Sequence, residues 1–461
     1  MTATLWTLSA ALGIGKRPEL IAIVGGGGKS SLMFALAAEL PGRVVMTTTT
    51  RIFAAQMNHA PAVIYENDLA SLGDALDAHG RCLVVGHVEG DKAVGVDPEL
   101  PARLLARTDV DYVLVEADGS RMRPVKAPAE HEPVIPPGTT LLVPVAGIDA
   151  LEDTIEDVAH RPENVRRIAN EDRPEAVSDQ RLIVDDRLTS AGLARLLAHP
   201  SGGLKDAPDT SRIVPFLNKV ETAERLAAAR EVAGRLLREP RVARVILGAL
   251  RKDAPAREVW RRVTAVVMAA GTSSRMGHNK LLLPWGDSAV LERTLGNVVL
   301  SCVTGMITVV GHEREATEPI AVRYGPTTIN QDYANGMLSS VQAAVRALPS
   351  EVEAALVVLG DQPLVGPDIL DKVLTAYAEN PHGLVAPTFQ GRRGNPVIID
   401  RRYFAELLAL PASAAPRFLL QKYPDDLLLV DVKSDVILHD LDRPEDYERL
   451  RPKTGEIGLT A

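Results

Sequence analysis

Twice along the chain an aliphatic run enters a glycine-rich loop and is followed by a helical pattern, at Ile21–Leu40 and again at Thr264–Leu283. Such a unit opens a parallel α/β sheet, because parallel neighbours need a long crossover and the crossover is usually a helix. Two of them predict two sheets. Candidate strands of the first half are Ile21–Val24, Val44–Thr47, Cys82–Val85, Tyr112–Val115, Leu141–Val145, Ile213–Leu217 and Val245–Leu247, with helical spacing at Ser30–Leu40 and Glu221–Leu237. Those of the second half are Thr264–Met268, Ile307–Val310, Ala355–Leu359, Gly383–Ala386 and Val397–Ile399, covered by helices at Val290–Cys302, Leu338–Leu348 and Pro367–Glu379. The cores must be aliphatic, since 46% of residues are hydrophobic and only 4% aromatic. That suits parallel strands buried on both faces.

Pro200–Ser211 reads as a surface loop, and Arg251–Arg262, with its charges and Pro255, reads as a linker. The domain boundary is expected near residue 256, giving domains 1–255 and 256–461. The two glycine loops differ in sequence, so no duplication is inferred, and the end from Lys453 reads as frayed. With 51 Lys plus Arg against 60 Asp plus Glu, the net charge of −9 opposes nucleic-acid binding. Cys82 and Cys302 stand far apart with no Cys/His cluster, which excludes a disulfide framework or structural zinc. The apolar stretch Leu5–Ile14 has neither the basic flank nor the cleavage site of a targeting segment, and no run is long enough to span a membrane. A soluble cytoplasmic enzyme with no membrane or nucleic-acid partner is the expectation.

The second loop carries the sharper chemistry. Met268-Ala-Ala-Gly-Thr-Ser-Ser-Arg-Met-Gly-His-Asn-Lys280 leaves a strand and offers Ala269, Ala270, Gly271, Thr272, Ser273 and Gly277 to a nucleotide. Its glycines let backbone N–H groups approach phosphate oxygens, and Arg275 and Lys280 supply positive charge to a polyphosphate. An ordinary turn with solvated cations is the competing reading. Asp361, directly after the strand Ala355–Leu359, can hold Mg²⁺, which takes one or two carboxylates and completes its shell with phosphate oxygens and water. Gly360-Asp-Gln-Pro363 also reads as a plain turn.

These residues resemble the molybdenum cofactor nucleotidyltransferase family, and its cytidylyltransferase (MocA-type) branch more than its guanylyltransferase branch. The resemblance spans about Val263–Leu450. It is carried by Ala269-Ala-Gly-Thr-Ser-Ser-Arg-Met-Gly277 with Lys280, Val309-Val-Gly-His312, Asn330 with Asn335-Gly-Met-Leu-Ser-Ser340, Gly360-Asp-Gln-Pro363, Gly391-Arg-Arg-Gly-Asn-Pro-Val397 and Asp440-Leu-Asp-Arg-Pro-Glu-Asp-Tyr447. Ala270, where the guanylyl branch has glycine, points to CTP. The resemblance implies a Rossmann-like, GT-A-like fold and transfer of CMP from CTP to the molybdenum-pterin cofactor, with Mg²⁺ and release of pyrophosphate. It further implies catalytic roles for Arg275, Lys280 and Asp361, and an acceptor side formed by Asn330, Gly336, Ser339, Ser340 and Asn395. The serines equally read as helix initiators. Asp440 is a candidate second metal ligand, although Asp440-Leu-Asp442 also reads as a helix cap. Asn395 stands where the family commonly has His, and Ala412-Ser-Ala-Ala-Pro-Arg417 lacks the family's Gly-Asp. Transfer to a sugar phosphate or isoprenoid precursor, or non-catalytic carriage of the cofactor, are the other readings.

In the first half, Gly26, Gly27, Gly28, Lys29, Ser30 and Ser31 form a phosphate-loop-like turn at a helix start, with Lys29 for terminal phosphates and Ser30 for Mg²⁺. Ile23 stands where the standard phosphate loop has its first glycine, so binding rather than hydrolysis is expected, with a purely structural glycine turn as the competing reading. Glu116 and Asp118 follow the strand Tyr112–Val115 and suit a metal-bound phosphate or an activated water. Phe216-Leu-Asn218-Lys-Val-Glu221 resembles the base-reading motif of GTPases, and a strand followed by a helix cap explains it as well. Val24–Ser31, Thr47–Arg51, Glu116–Arg121 and Lys126-Ala-Pro-Ala-Glu-His-Glu-Pro133 together resemble the YqeC-like accessory proteins of selenium-dependent hydroxylases. That resemblance implies nucleotide-linked maturation of an apo molybdenum hydroxylase. His131 is a candidate proton carrier or metal ligand, or part of a solvated loop.

Overall fold

Glu19–Gly25, buried along nearly its whole length, lies between two parallel neighbours, Leu141–Gly147 and Tyr112–Glu116. In the computed structural model, which describes residues 5–15, 18–170 and 182–452, the chain divides into two units, Met1–Trp260 and Arg261–Ala461. The first sheet continues from Tyr112–Glu116 through Val44–Thr48 and Arg81–Val85 to Val63–Tyr65, and from Leu141–Gly147 through Phe216–Asn218 and Arg244–Gly248 to Ala256–Arg261. The parallel pairs bring Gly25, Glu116, Thr48, Gly147 and Asn218 to one edge, where ligands bind in open α/β sheets.

Two expectations change here. Ala256–Arg261 is a strand, not a linker. Glu258, one of the charges that made this stretch read as a linker, is fully buried; Arg230 donates to it twice, at 3.0 and 2.6 Å, and Trp260 Nε1 donates at 2.7 Å. The run Ile213–Leu217 breaks into Arg212–Ile213 and Phe216–Asn218 around Pro215, which has no N–H to give the ladder. Leu5–Ile14 contains the helix Leu8–Leu12, apolar because Leu8, Ala11 and Leu12 enter the core; the N–H groups of Leu8 and Ser9 end on Glu39.

In the second unit Val263–Ala269 is flanked by parallel Gly305–Val310 and Ala354–Leu359, with Thr327–Ile329 parallel at the edge. Beyond Ala354–Leu359 the direction reverses through Val397–Asp400 and returns in Leu384–Phe389, to which Leu427–Asp431 is parallel. The helices Val290–Val299 and Pro367–Glu379 share one aliphatic cluster with the sheet, and Met337–Ala347 and Phe404–Ala409 share another. A small separate cluster joins Trp285, Val290 and Leu441, with Tyr447 against the indole at 6.4 Å between ring centres. Among the described residues no helix is long and apolar enough to cross a membrane. The end from Lys453 lies outside the described residues.

Candidate active site

The loop that leaves Val263–Ala269 is open. A Cβ placed on Gly271 or Gly277 would meet nothing within 4 Å, and Gly277 takes φ +75°. Ser273, also left-handed at φ 48°, receives the Lys280 N–H on its hydroxyl at 3.3 Å, while its carbonyl accepts from Met276 N at 2.9 Å. Met276 is buried and pins the middle of the loop; Gly271, Thr272 and Arg275 are exposed. Ala269 and Ala270 are buried at the strand end, and the Ala270 carbonyl accepts from His312 N at 3.2 Å. The backbone around Gly271 is therefore available to a ligand.

Lys280 lies at the centre of the charges. Its ammonium pairs with Asp361 and, at 3.0 Å, with Asp442 Oδ1. Burial alone would lower its pKa, but Asp361 and Asp442 outweigh burial and hold it above the usual lysine value. Arg275 Nη1 reaches Asp442 Oδ2 at 2.5 Å. Asp440 accepts from the buried Gln362 amide at 2.6 Å, and burial, then the charge of Asp361, pushes its carboxyl up to about 6. For Asp442 burial works against ionisation, yet Lys280 and Arg275 keep it below the carboxylate range.

The first glycine loop is closed by contrast. A Cβ on Gly25 would lie 2.3 Å from the Val145 carbonyl, on Gly26 2.7 Å from the Arg123 carbonyl, on Gly27 2.2 Å from Gly147 N, and on Gly28 2.3 Å from Asn218 Nδ2. The loop's amides are already engaged: Gly25 N–H on Asp118, Gly26 N–H on the Val145 carbonyl at 2.8 Å, Gly27 N–H on the Arg123 carbonyl at 3.0 Å. So Gly26 and Gly27, expected to face phosphate, face the protein. Lys29 is buried, donates to the Gly25 carbonyl at 2.7 Å and pairs with Asp118 at 3.2 Å and Glu116 at 3.7 Å. Burial would lower its pKa, but the two carboxylates raise it. Ser30 donates to Glu116 at 2.6 Å and accepts from Gln56; burial raises the Glu116 pKa. Asp118 also pairs with Lys126 at 3.2 Å, and Lys126 with Glu132 at 2.9 Å, which Arg161 meets in turn. Three cations and three carboxylates form this chain, so it is neutral. His131 is exposed beside it.

Comparison with known proteins separates the halves. Residues 21–163 match the YqeC protein model and residues 265–427 the MobA-like NTP transferase domain model. The uncharacterized protein YqeC of Escherichia coli (strain K12) is 35% identical over 226 residues, 48% of this chain and 84% of that one. The molybdenum cofactor cytidylyltransferase of the same strain is 30% identical over 197 residues, 42% of this chain and 98% of that one. The chain belongs to both families. A nucleotidyl transferase from Methanothermobacter thermautotroptrophicus is similar at 25% identity, covering 41% of this chain and 96% of that one with a TM-score of 0.37. The MobA-like half is a nucleotidyltransferase, of a family that uses an NTP and a divalent metal.

In the MobA-like half the residues expected on the acceptor side divide into two groups. Asn330 Nδ2 donates to both Ser339 and Ser340 at 2.8 Å, and Gly336 starts the helix Met337–Ala347. A polar cleft of about 450 Å³ opens here, lined by Asn330, Asn335, Ser339, Gln342, Arg346 and Ala412. Asn395 lies apart, across the central strands, with its N–H on the Ile437 carbonyl at 3.2 Å; the Gln362 amide shares that carbonyl at 3.4 Å. The sequence reading missed Asp442 and Gln362. Asp442 had the right signal, a carboxylate beside Asp440, but its Arg-Pro successor made it read as a cap. In the YqeC half Asn218 bridges the Gly27 carbonyl at 2.7 Å and Leu250 N at 3.1 Å, and Lys219 pairs with Asp149 at 2.6 Å. The GTPase-like motif therefore braces the glycine loop.

Proposed function

We propose that the MobA-like half transfers CMP from CTP to the terminal phosphate of the molybdenum-pterin cofactor, releasing pyrophosphate, for the maturation of molybdenum hydroxylases. The observation that carries the chemistry is the charge cluster beside the open loop: Lys280 between Asp361 and Asp442, with Arg275 on the outer oxygen of Asp442. The choice of cytidine and of the pterin acceptor is supported by the cytidylyltransferase relative and by Ala270.

The acceptor phosphate attacks the α-phosphorus in line, so the protein has to position and neutralise rather than form a covalent intermediate. Lys280 and Arg275 offset charge on the α-phosphate and on the departing pyrophosphate. Backbone N–H groups around Gly271 approach phosphate oxygens because no side chain stands over them. Asp361 and Asp440 fit a hard cation: both are oxygen donors, and the charge of Asp361 adds to burial in raising the Asp440 carboxyl. Mg²⁺ takes one or two carboxylates and completes its shell with phosphate oxygens and water. When bound, Mg²⁺ supplies neutralisation of the phosphate oxygens. Gln362 holds Asp440 in place, and Asn330, Ser339 and Ser340 offer hydrogen bonds to the acceptor.

For the YqeC half the proposal is nucleotide binding at the start of the helix Lys29–Glu39, by Gly28, Ser30 and Ser31, coupled to insertion of the finished cofactor into an apo hydroxylase. Unchanged hydroxylase maturation in a Lys29→Ala protein that no longer binds nucleotide would refute the coupling.

The deciding experiment incubates the protein with each NTP, Mg²⁺ and the molybdenum-pterin cofactor and follows pyrophosphate. Release with CTP alone is expected; none with CTP sinks the proposal, and release with a sugar phosphate or isoprenoid acceptor replaces it. Asp361→Ala separates a carrier from a transferase, since only the carrier would keep delivering cofactor.

A further inference from the structure

One carboxylate is placed between the two cations that the proposed reaction needs for phosphate. Asp442 Oδ2 lies 2.5 Å from Arg275 Nη1 and Asp442 Oδ1 lies 3.0 Å from Lys280 Nζ, so each oxygen takes one cation, as two oxygens of a phosphate would. The Arg275 side chain is 68% exposed and rides on the open loop, so this ion pair fixes where its guanidinium points. The carboxylate itself comes from an anchored segment. Leu441 is buried in the cluster with Trp285 and Val290, and its N–H reaches the Asp361 carbonyl at 3.4 Å.

We propose that Asp442 is a positioning residue that stands in for the polyphosphate. In the free protein it holds Arg275 and Lys280 at the spacing of a phosphate group. It gives them up to an incoming triphosphate, whose greater charge outcompetes one carboxylate, and takes them back as pyrophosphate leaves. Ligand binding then has to break two ion pairs, and product release re-forms them. The inference rests on the reading of this site as a triphosphate site, but on neither the base nor the acceptor.

The test is calorimetric titration of pyrophosphate into the full chain, with and without Mg²⁺, for the unmodified protein, Asp442→Asn, Asp442→Glu and Lys280→Ala. Lys280→Ala measures pyrophosphate bound elsewhere on the chain, which is subtracted. Partly exposed ion pairs are each worth a few-fold in affinity, so Asp442→Asn should bind pyrophosphate about tenfold tighter, with Asp442→Glu close to the unmodified protein. Steady-state assays should show KM for the triphosphate and kcat falling together in Asp442→Asn, as slower release requires. Unchanged or weaker pyrophosphate binding in Asp442→Asn overturns the proposal and makes Asp442 a structural or metal-holding residue. Should that variant not fold, Asp442→Ser is titrated under the same criterion. A tenfold gain with no turnover of CTP would leave this inference standing and remove the functional one.

Discussion

The two glycine loops predict opposite outcomes for the same substitution. Gly27→Ala puts a methyl 2.2 Å from Gly147 N and 2.8 Å from the Pro124 carbonyl, at φ +73°. The left-handed backbone costs an L-residue about 1–2 kcal/mol, and overpacking against backbone that cannot rotate away adds about 1–3 kcal/mol. The sum, roughly 2–5 kcal/mol, corresponds to a fall of about 5–15 °C in the calorimetric midpoint for a unit of this size. Gly271→Ala meets nothing within 4 Å and has no left-handed backbone, so its midpoint should hold or rise slightly. There the methyl obstructs a phosphate oxygen instead. Losing one hydrogen bond to a charged group, about 1.5–3 kcal/mol, should lower kcat/KM for CTP roughly 10- to 100-fold in a pyrophosphate-release assay. Equal thermal losses in the two variants, or an unaltered midpoint in Gly27→Ala, would refute the division into a packing loop and a binding loop.

Lys280→Ala should lower kcat about 10²- to 10³-fold, the usual loss when one preorganised charge-stabilising donor is removed, as measured under saturating CTP. Asn218→Ala should destabilise by about 2–4 kcal/mol in urea titration, because it leaves the Gly27 carbonyl and the Leu250 N–H without their partner; a nucleotide-binding defect at unaltered stability would restore the base-reading role. Burial opposes ionisation of Glu132, but Lys126 and Arg161 hold its pKa below the usual glutamate value. Its contribution is therefore present above the unfolded-state pKa and is lost as pH falls through the lowered one. Denaturation curves of Glu132→Gln and the unmodified protein should differ at pH 7 and converge in acid; a difference that grows in acid would contradict this.

The central strands were legible because each is a short, largely aliphatic run, several with a glycine or a carboxylate at or just beyond the end. The edges were not. Val63–Tyr65 is three residues long, and in Ala256–Arg261 the buried Glu258 is made possible by Arg230, which no local pattern reveals. The loops show the same limit more sharply. Both read as anion cradles, yet whether their amides face out depends on residues distant in the chain: Val145, Arg123 and Asn218 close the first, and nothing closes the second. Lys29 and Lys280 likewise looked alike, but only Lys280 shares its carboxylates with an exposed arginine on an open loop.

The small cluster of Trp285, Val290 and Leu441 has an optical consequence. Leu441 is the residue between Asp440 and Asp442, so the indole packs on the segment that carries both carboxylates. The described part of the second unit contains no other tryptophan. With Trp6 and Trp260 replaced by phenylalanine, emission from Trp285 becomes an intrinsic reporter of whatever that segment does when an anion arrives, read in milliseconds and without a label.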